Sequence, residues 1–464
     1  MYLYKWYNTC GKTSRASLCD SVLHVLRTYR IIDGCAKMPL QASIFTYGEI
    51  HAVRLAEQTF TYGKIPSQGV NFMSLFDKCE AFTLARDFRE KGIYPYFHYL
   101  ESRQDTTVIM EGKRRIMLGS NNYLGLTVHP EVKEAAVRAA EEYGTGCSGS
   151  RFLNGTLKMH LELEEALARY IGKEAAMTFS TGFQSNLGII SAIAGRNDYI
   201  LCDRENHASI YDACRLSYAT LVRYKHNDME DLEKHLAALP KEAGKLIVTD
   251  GVFSMSGDIC DLPAIVRLAK KYDAATMVDD AHGFGVLGRG GRGTADHFGL
   301  TDEVDVIMGT FSKSLASLGG YMVASEKIID YTRHNSRPFI FSASIPPAQC
   351  AAAKAALAVI EREPERVQRL GALGAYMRAG LKARGLKIKE AQTPIVPIYT
   401  YDMEATLIIN KKLYEAGVFV NPVLPPATPP GECLLRTSLM ATHTEALLDE
   451  AMDIIKEVVL SYEQ

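Results

Sequence analysis

No apolar run in the 464-residue chain approaches the ~18–20 residues needed to cross a bilayer, so the sequence predicts no membrane-spanning helix. Charge of one sign is lacking too: 52 Lys and Arg against 54 Asp and Glu leave a net charge of −2. That balance argues against a nucleic-acid binder, and no basic block points to an anionic membrane surface. The ten cysteines form no CxxC pair and no Cys/His cluster, so neither a metal site nor a disulfide framework is expected. Reduced, buried thiols in a cytoplasmic protein are the simpler reading. The start, MYLYKWYNTCGKTSRASLCD, lacks a basic stretch leading into an apolar core and is not a secretory signal. Tryptophan is nearly absent. Its one copy, Trp6, lies with three of the cysteines in residues 1–72, a segment without sustained periodicity. Residues 1–72 are expected to be an appendage or the product of an upstream start, with MSLFDKCEAFTLARDFREKG opening the working chain at or near Met73 as a helix capped by a serine.

What the chain does have is the composition of a globular enzyme, 47% hydrophobic and 23% charged, with length for two or three domains. TLKMHLELEEALARYIG carries Leu157, Leu161, Leu163, Leu167, Tyr170 and Ile171 at helical spacing and closes on Gly172. Seven short strand candidates surround or follow such helices: AAMTFS, DYILCD, ATLVRY, KLIVTD, ATMVDD, VDVIMG and GGYMVAS. In DLPAIVRLAKKY, Asp261 is a cap and Pro263 sits in the first turn. Apolar strands alternating with helices predict an α/β fold with a mostly parallel, seven-stranded sheet covered by helices. Beyond about residue 350, PPAQCAAAKAALAVIEREPERVQRLGALGAYMRAGLKARG reads as one long helix. IVPIYTY, GVFVNP and CLLRTSL then read as strands of a smaller α/β unit. The expected division is a helix and arm over 73–120, a large domain over 121–350 and a small C-terminal domain over 351–464.

Ligands of such sheets gather beyond the carboxyl ends of the strands, and the polar residues there are the candidates for a site. Gly182 and Phe183 open a helix after a strand, offering free N–H groups and a positive dipole end to a phosphate. His207 sits where another helix starts, a place where a lone histidine is more often a cap or core residue. Asp250, Ser254 and Ser256 follow the next strand. Asp279, Asp280 and His282 are delivered into a glycine-rich loop, where two acids need a cation or donors. Gly283, Gly285 and Gly288 spell GxGxxG, but RGGRGTADHFG follows and cannot start the helix that a dinucleotide site requires. In GTFSKS, Lys313 stands among Thr310, Ser312 and Ser314, without the second glycine of a P-loop. A lysine beside apolar strands and other cations loses basicity and becomes nucleophilic.

Each feature alone has a bland reading; together they form the set that holds pyridoxal phosphate. A lysine binds the aldehyde, an acid keeps the pyridine nitrogen protonated, a ring stacks on the cofactor and a turn binds its phosphate.

The motifs SNNYLGLTVHPEV, GTGCSGSRFLNGT, TGFQSNLG, ENHASIYD, TDGVFSMSGD, VDDAHGFGVLGRGGRG and GTFSKSLASLGGY resemble, in this order, those of the α-oxoamine synthases. That family comprises fold-type I, aminotransferase-like pyridoxal-phosphate enzymes that condense an amino acid with an acyl-CoA and release CO2. The resemblance implies that Lys313 holds the cofactor and is the acid/base at Cα. It implies that Asp279 pairs with the pyridinium, that His282 bonds the ring oxygen and that His207 stacks on the ring. Gly182, Phe183 and Thr310 would bind the phosphate, with Ser342 reaching the phosphate of a neighbouring subunit in a homodimer. Ser254 would lie near the ring and Asn121 beside the substrate, and Arg436 would receive the amino-acid carboxylate. GIYPYFHYLES, IMLGSNNYLGLT, GSRFLNGTLKMH and NPVLPPATPPGECLLR are most similar to the members that join L-serine to a long-chain acyl-CoA. Where some bacterial members carry an arginine just before PPATP, this chain has Leu424, leaving Arg436 and His207 for the carboxylate. The alternatives are members that use glycine with acetyl-CoA or alanine with a pimeloyl thioester, and a non-catalytic partner subunit. The last conflicts with the presence of Lys313, Asp279, His282 and His207. The expected location is the cytoplasm, with peripheral membrane contact allowed.

Overall fold

A computed structural model describes residues 74–463; the expected appendage lies outside them. The segment after Met73 is not one helix but two short ones, Asp77–Glu80 and Leu84–Glu90, and neither has a side-chain cap. Leu75, Phe76 and Phe82 are exposed, so the apolar pattern finds no core that would reward a continuous helix. A hairpin follows, β1 (Thr107–Met110) and β2 (Lys113–Met117).

The central sheet has the seven expected strands: β3 (Ala175–Phe179), β4 (Tyr199–Asp203), β5 (Thr220–Tyr224), β6 (Lys245–Asp250), β7 (Ala275–Asp279), β8 (Val306–Thr310) and β9 (Gly320–Ala324). Their order is β3-β9-β8-β7-β6-β4-β5, and only β9 runs antiparallel to its neighbours. Because side chains alternate across a strand, Leu201, Ile247, Val278, Ile307 and Val323 enter one core. Ile200, Leu246, Met277, Val306 and Met322 enter the other, beneath the helices of the opposite face. Two covered faces explain why these strands read as unbroken apolar runs.

Helix Lys158–Ile171 stops where Gly172 takes φ +91°, as its pattern predicts, although Leu161 is exposed rather than part of the buried stripe. Asp261 accepts a hydrogen bond from Ala264 N and caps helix Leu262–Tyr272. The long tail helix is two: Pro347–Arg362 and Glu365–Ala383. Pro364 separates them, since it has no N–H to continue the ladder.

The last strands are β10 (Ile395–Tyr401), β11 (Val418–Phe419), β12 (Asn421–Val423) and β13 (Cys433–Ser438). β11 pairs with β2, while β10, β13 and β12 form a separate antiparallel sheet. The segment after β2 is stitched between these sheets. Leu118 N donates to Phe419 O at 2.9 Å, Asn421 Nδ2 donates to Gly119 O at 2.8 Å, and Ser438 N donates to Leu118 O at 2.7 Å. That stitching brings residues 120–123 against β13.

Candidate active site

Parallel strands β6, β7 and β8 end side by side in Asp250, Asp279 and Thr310. Asp279 is buried, with Asn186 Nδ2 donating to Oδ2 at 2.7 Å and Ala281 N donating to Oδ1 at 3.0 Å. Two donors and no acceptor suit a carboxylate that keeps its charge. Asp280 turns the other way, takes donors from Thr294 N and Oγ1, and is raised by burial to about 7. The glycines of the GxGxxG decoy serve this packing: a Cβ on Gly283 would meet Asp280 Oδ1, and one on Gly285 would lie 2.4 Å from Ser314 Cβ.

Lys313 lies beyond β8, half-buried. Burial pushes its amine down to about 8, Asp279 and Asp250 oppose the drop, and Arg436 adds to it. Ser314 Oγ anchors the lysine's loop by donating to Phe284 O at 2.8 Å, and Ser312 bonds Thr310 Oγ1 at 2.9 Å.

His207 caps helix Ala208–Ser217; its Nδ1 accepts from Ser209 N at 3.3 Å and lies 2.7 Å from Ser209 Oγ. Asn186 Nδ2 also donates to Ser209 Oγ at 2.8 Å, so a continuous chain joins His207 to Asp279. An accepting Nδ1 places the ring's proton on Nε2. Burial lowers the pKa of His207, Asp279 opposes and Lys313 contributes, so the ring is neutral near pH 7.

His282 is buried, and Tyr123 Oη lies 2.7 Å from its Nδ1. Burial holds it well below the ordinary histidine range, with Lys313 and Arg436 adding to the effect. Arg436 in β13 is 4% exposed; its Nη2 donates to Asn121 Oδ1 at 3.0 Å and to Tyr123 Oη at 3.3 Å, and its Nε donates to Ser254 O. Among the described residues no carboxylate lies within ion-pair distance of this buried guanidinium.

Helix Gly182–Ile193 starts beside Thr310, leaving first-turn N–H groups of Gly182 and Phe183 without intrahelical acceptors. A Cβ on Gly182 would stand 2.6 Å from Thr310 Oγ1, so only glycine keeps the turn against the strand end. Ser342 is set apart, lining a small cleft with Arg151, Gln184 and Phe339.

Sequence reading missed Tyr123, Asn186 and Ser209. Each had a faint signal: Asn186 lies one helical turn after Gly182, Ser209 two residues after His207, and Tyr123 in the same motif as Asn121.

An anion-ready helix start, a lysine of lowered basicity, a carboxylate fed by two donors and two neutral histidines around one set of strand ends fit pyridoxal phosphate. They define a fold-type I pyridoxal-phosphate enzyme. The family model for aminotransferase class I and II matches residues 113–455. The chain is 53% identical over 379 residues to the serine palmitoyltransferase of Sphingobacterium spiritivorum, covering 82% of this chain and 95% of that one. It is 45% identical over 369 residues to the 8-amino-7-oxononanoate synthase of Geobacter sulfurreducens, covering 79% and 94% respectively. The high-resolution structure of SPT with PLP internal aldimine superposes with a TM-score of 0.82 at 38% identity, over 84% of this chain and 99% of that one. The chain belongs to the α-oxoamine synthases, pyridoxal-phosphate-dependent acyltransferases. No described helix is long and apolar enough to cross a membrane.

Proposed function

We propose that this enzyme is a serine palmitoyltransferase, condensing L-serine with palmitoyl-CoA to 3-ketosphinganine, CoA and CO2. The observation that carries the reading is the buried, carboxylate-free Arg436 facing the site of Lys313, within a chain 53% identical to a serine palmitoyltransferase. The same side of the site supplies Asn121 and Tyr123 to hold the guanidinium while it receives the serine carboxylate in a bidentate pair.

Bound pyridoxal phosphate supplies an aldehyde for the amino group and an electron sink for the carbanion at Cα. Lys313 would hold it, with Gly182, Phe183 and Thr310 available to its phosphate, Asp279 to its pyridine nitrogen, His282 to its ring oxygen, His207 to its ring face and Ser254 nearby. With a pKa of about 8, roughly a quarter of Lys313 is neutral at pH 7.5, against about 0.1% for an ordinary lysine. Freed when the serine amino group takes its place, that neutral amine would remove the serine Cα proton and return a proton after CO2 has left. Arg436 and His207 keep the carboxylate oriented until then. Asn186 and Ala281 both donate to Asp279 and fix its carboxyl in place. Ser342 completes the phosphate site of a second copy, which makes the working unit a homodimer. A cytoplasmic location is supported by the acyl-CoA substrate, a thioester made in that compartment.

The test is a substrate panel on purified holoenzyme. CoA release from palmitoyl-CoA with serine, and not from acetyl-CoA with glycine or pimeloyl-CoA with alanine, is expected. A preference for either of the latter pairs refutes the serine assignment.

A further inference from the structure

A second cluster of charge lies away from the cofactor site and has no part in the mechanism above. Just past β5, the ring of His226 stands between two carboxylates: Nδ1 is 3.1 Å from Asp203 Oδ1 and Nε2 is 3.4 Å from Asp258 Oδ2. Glu205 lies 3.7 Å from the same Nε2, and Lys389 closes the cluster at 2.9 Å from Asp258. The edge of the imidazole meets Phe253, with ring centroids 4.3 Å apart. Asn227 adds three hydrogen bonds across the same seam. Its N donates to Asp203 Oδ2 at 2.9 Å, its Nδ2 donates to Ile259 O at 3.1 Å, and its Oδ1 accepts from Asp261 N at 3.1 Å.

The two segments joined in this way carry substrate-facing groups. Asp203 ends β4, four residues before His207. Asp258 closes the turn that contains Ser254, through Phe253 N donating to Asp258 O at 2.9 Å, and the Ser254 carbonyl holds Arg436 Nε. A neutral imidazole has one N–H and serves one of two carboxylates; only the imidazolium serves both.

We propose that His226, as an imidazolium, is a positioning residue for the reaction, clamping the His207 segment to the Ser254 turn and so fixing the stacking histidine relative to Arg436. The proposal rests on the roles given above to His207 and Arg436. Three carboxylates (Asp203, Glu205 and Asp258) and one ammonium (Lys389) face the cluster, an excess of negative charge that holds the proton on the ring. Burial works against that charge, but the hydrogen bonds to Asp203 and Asp258 prevail and raise His226 to about 9. Burial likewise works to raise Asp258, while His226 and Lys389 hold it down to about 2. A histidine raised in the fold contributes fully below its ordinary value of about 6.5, and the contribution is lost as pH rises through about 9. The clamp is therefore closed at neutral pH and opens in alkali.

The experiment compares wild-type, His226→Gln and His226→Arg holoenzymes. Serine affinity is read from the change in the cofactor absorbance band, kcat/KM is read from pH 7 to 10, and thermal midpoints are recorded. His226→Gln should retain the cofactor band, because Lys313 and Asp279 are untouched, while serine binding weakens roughly 10- to 100-fold through misplaced contacts. His226→Arg keeps a fork of positive charge, so serine affinity stays within about 5-fold, and the fall in kcat/KM centred near pH 9 disappears. Equal loss in the two variants, or wild-type serine affinity in His226→Gln, overturns the proposal. Should His226→Gln not fold, an alkaline limb unchanged in His226→Arg overturns it alone. A wild type that ignores serine sinks the substrate assignment instead, and the clamp is then read with the amino acid that shifts the band.

Discussion

Asp250 and Asp279 end neighbouring strands in register, both buried, and they cannot both be charged at low cost. At the ~4.8 Å spacing of adjacent strands, two unit charges repel by about 3 kcal/mol at an effective dielectric constant of ~20. Asp279 has two donors, whereas Asp250 has one long bond from His207 N at 3.4 Å. The proton therefore resides on Asp250: burial first, then Asp279, raise it well above the ordinary carboxylate range, with the His207 N–H and Lys313 opposing. Asp250→Asn replaces a neutral acid with a neutral amide of the same shape. It should leave kcat/KM for serine within about 3-fold of wild type, a change of about 0.6 kcal/mol. The same substitution at Asp279, the proposed partner of the pyridine nitrogen, should cost roughly 100-fold or more. Stability gives a second readout. An acid raised in the fold must take up a proton on folding above its unfolded pKa of ~3.9, which destabilises increasingly as pH rises. Asp250→Asn should thus raise the thermal midpoint at pH 8, and the gain should vanish as pH falls towards 4. The assays are steady-state CoA release and calorimetry. A 100-fold drop in kcat/KM, or a lower midpoint at pH 8, would show that Asp250 works as an anion and refute the reasoning.

Other outcomes follow from single contacts. Arg436→Lys exchanges a planar fork for a point charge and loses bonds to Asn121 and Tyr123; KM for serine should rise roughly 10- to 100-fold while the cofactor band stays, as measured by absorbance titration. Gly182→Ala forces a methyl to within 2.6 Å of Thr310 Oγ1, so fluorimetric titration should show cofactor affinity about 10-fold weaker, with stability lowered by about 1–3 kcal/mol. Tyr123→Phe removes the hydroxyl shared by His282 and Arg436, at about 1–2 kcal/mol, and kcat should fall about 10-fold without loss of folding by circular dichroism.

The strands at 175–324 could be read directly, because a sheet covered on both faces needs unbroken apolar runs and these have no helical period. Lys313, Asp279, His282 and His207 each had an ordinary structural reading alone and stood out only as a set at the ends of successive strands. The chain's family was legible from the same motifs. Errors arose where local pattern met context. One helix over 347–383 became two because Pro364 interrupts it, and the apolar residues after Met73 lacked a core to bury them.

Residue types and their order thus determined the sheet, the family and its cofactor class, and the proposal that Lys313 serves it. Partnership was decided only by the tertiary structure. Asp250 is pushed towards its neutral form because β6 lies beside β7, and Tyr123 meets both His282 and Arg436 because residues 118–123 are threaded between β11 and β13. His226 is drawn towards its charged form because two segments, the end of β4 with Asp203 and Glu205 and the turn with Asp258, bring carboxylates to one ring. The physical reason is one: electrostatic and hydrogen-bond energies depend on separations of a few ångströms, and those separations are set by packing between elements that no local sequence window contains.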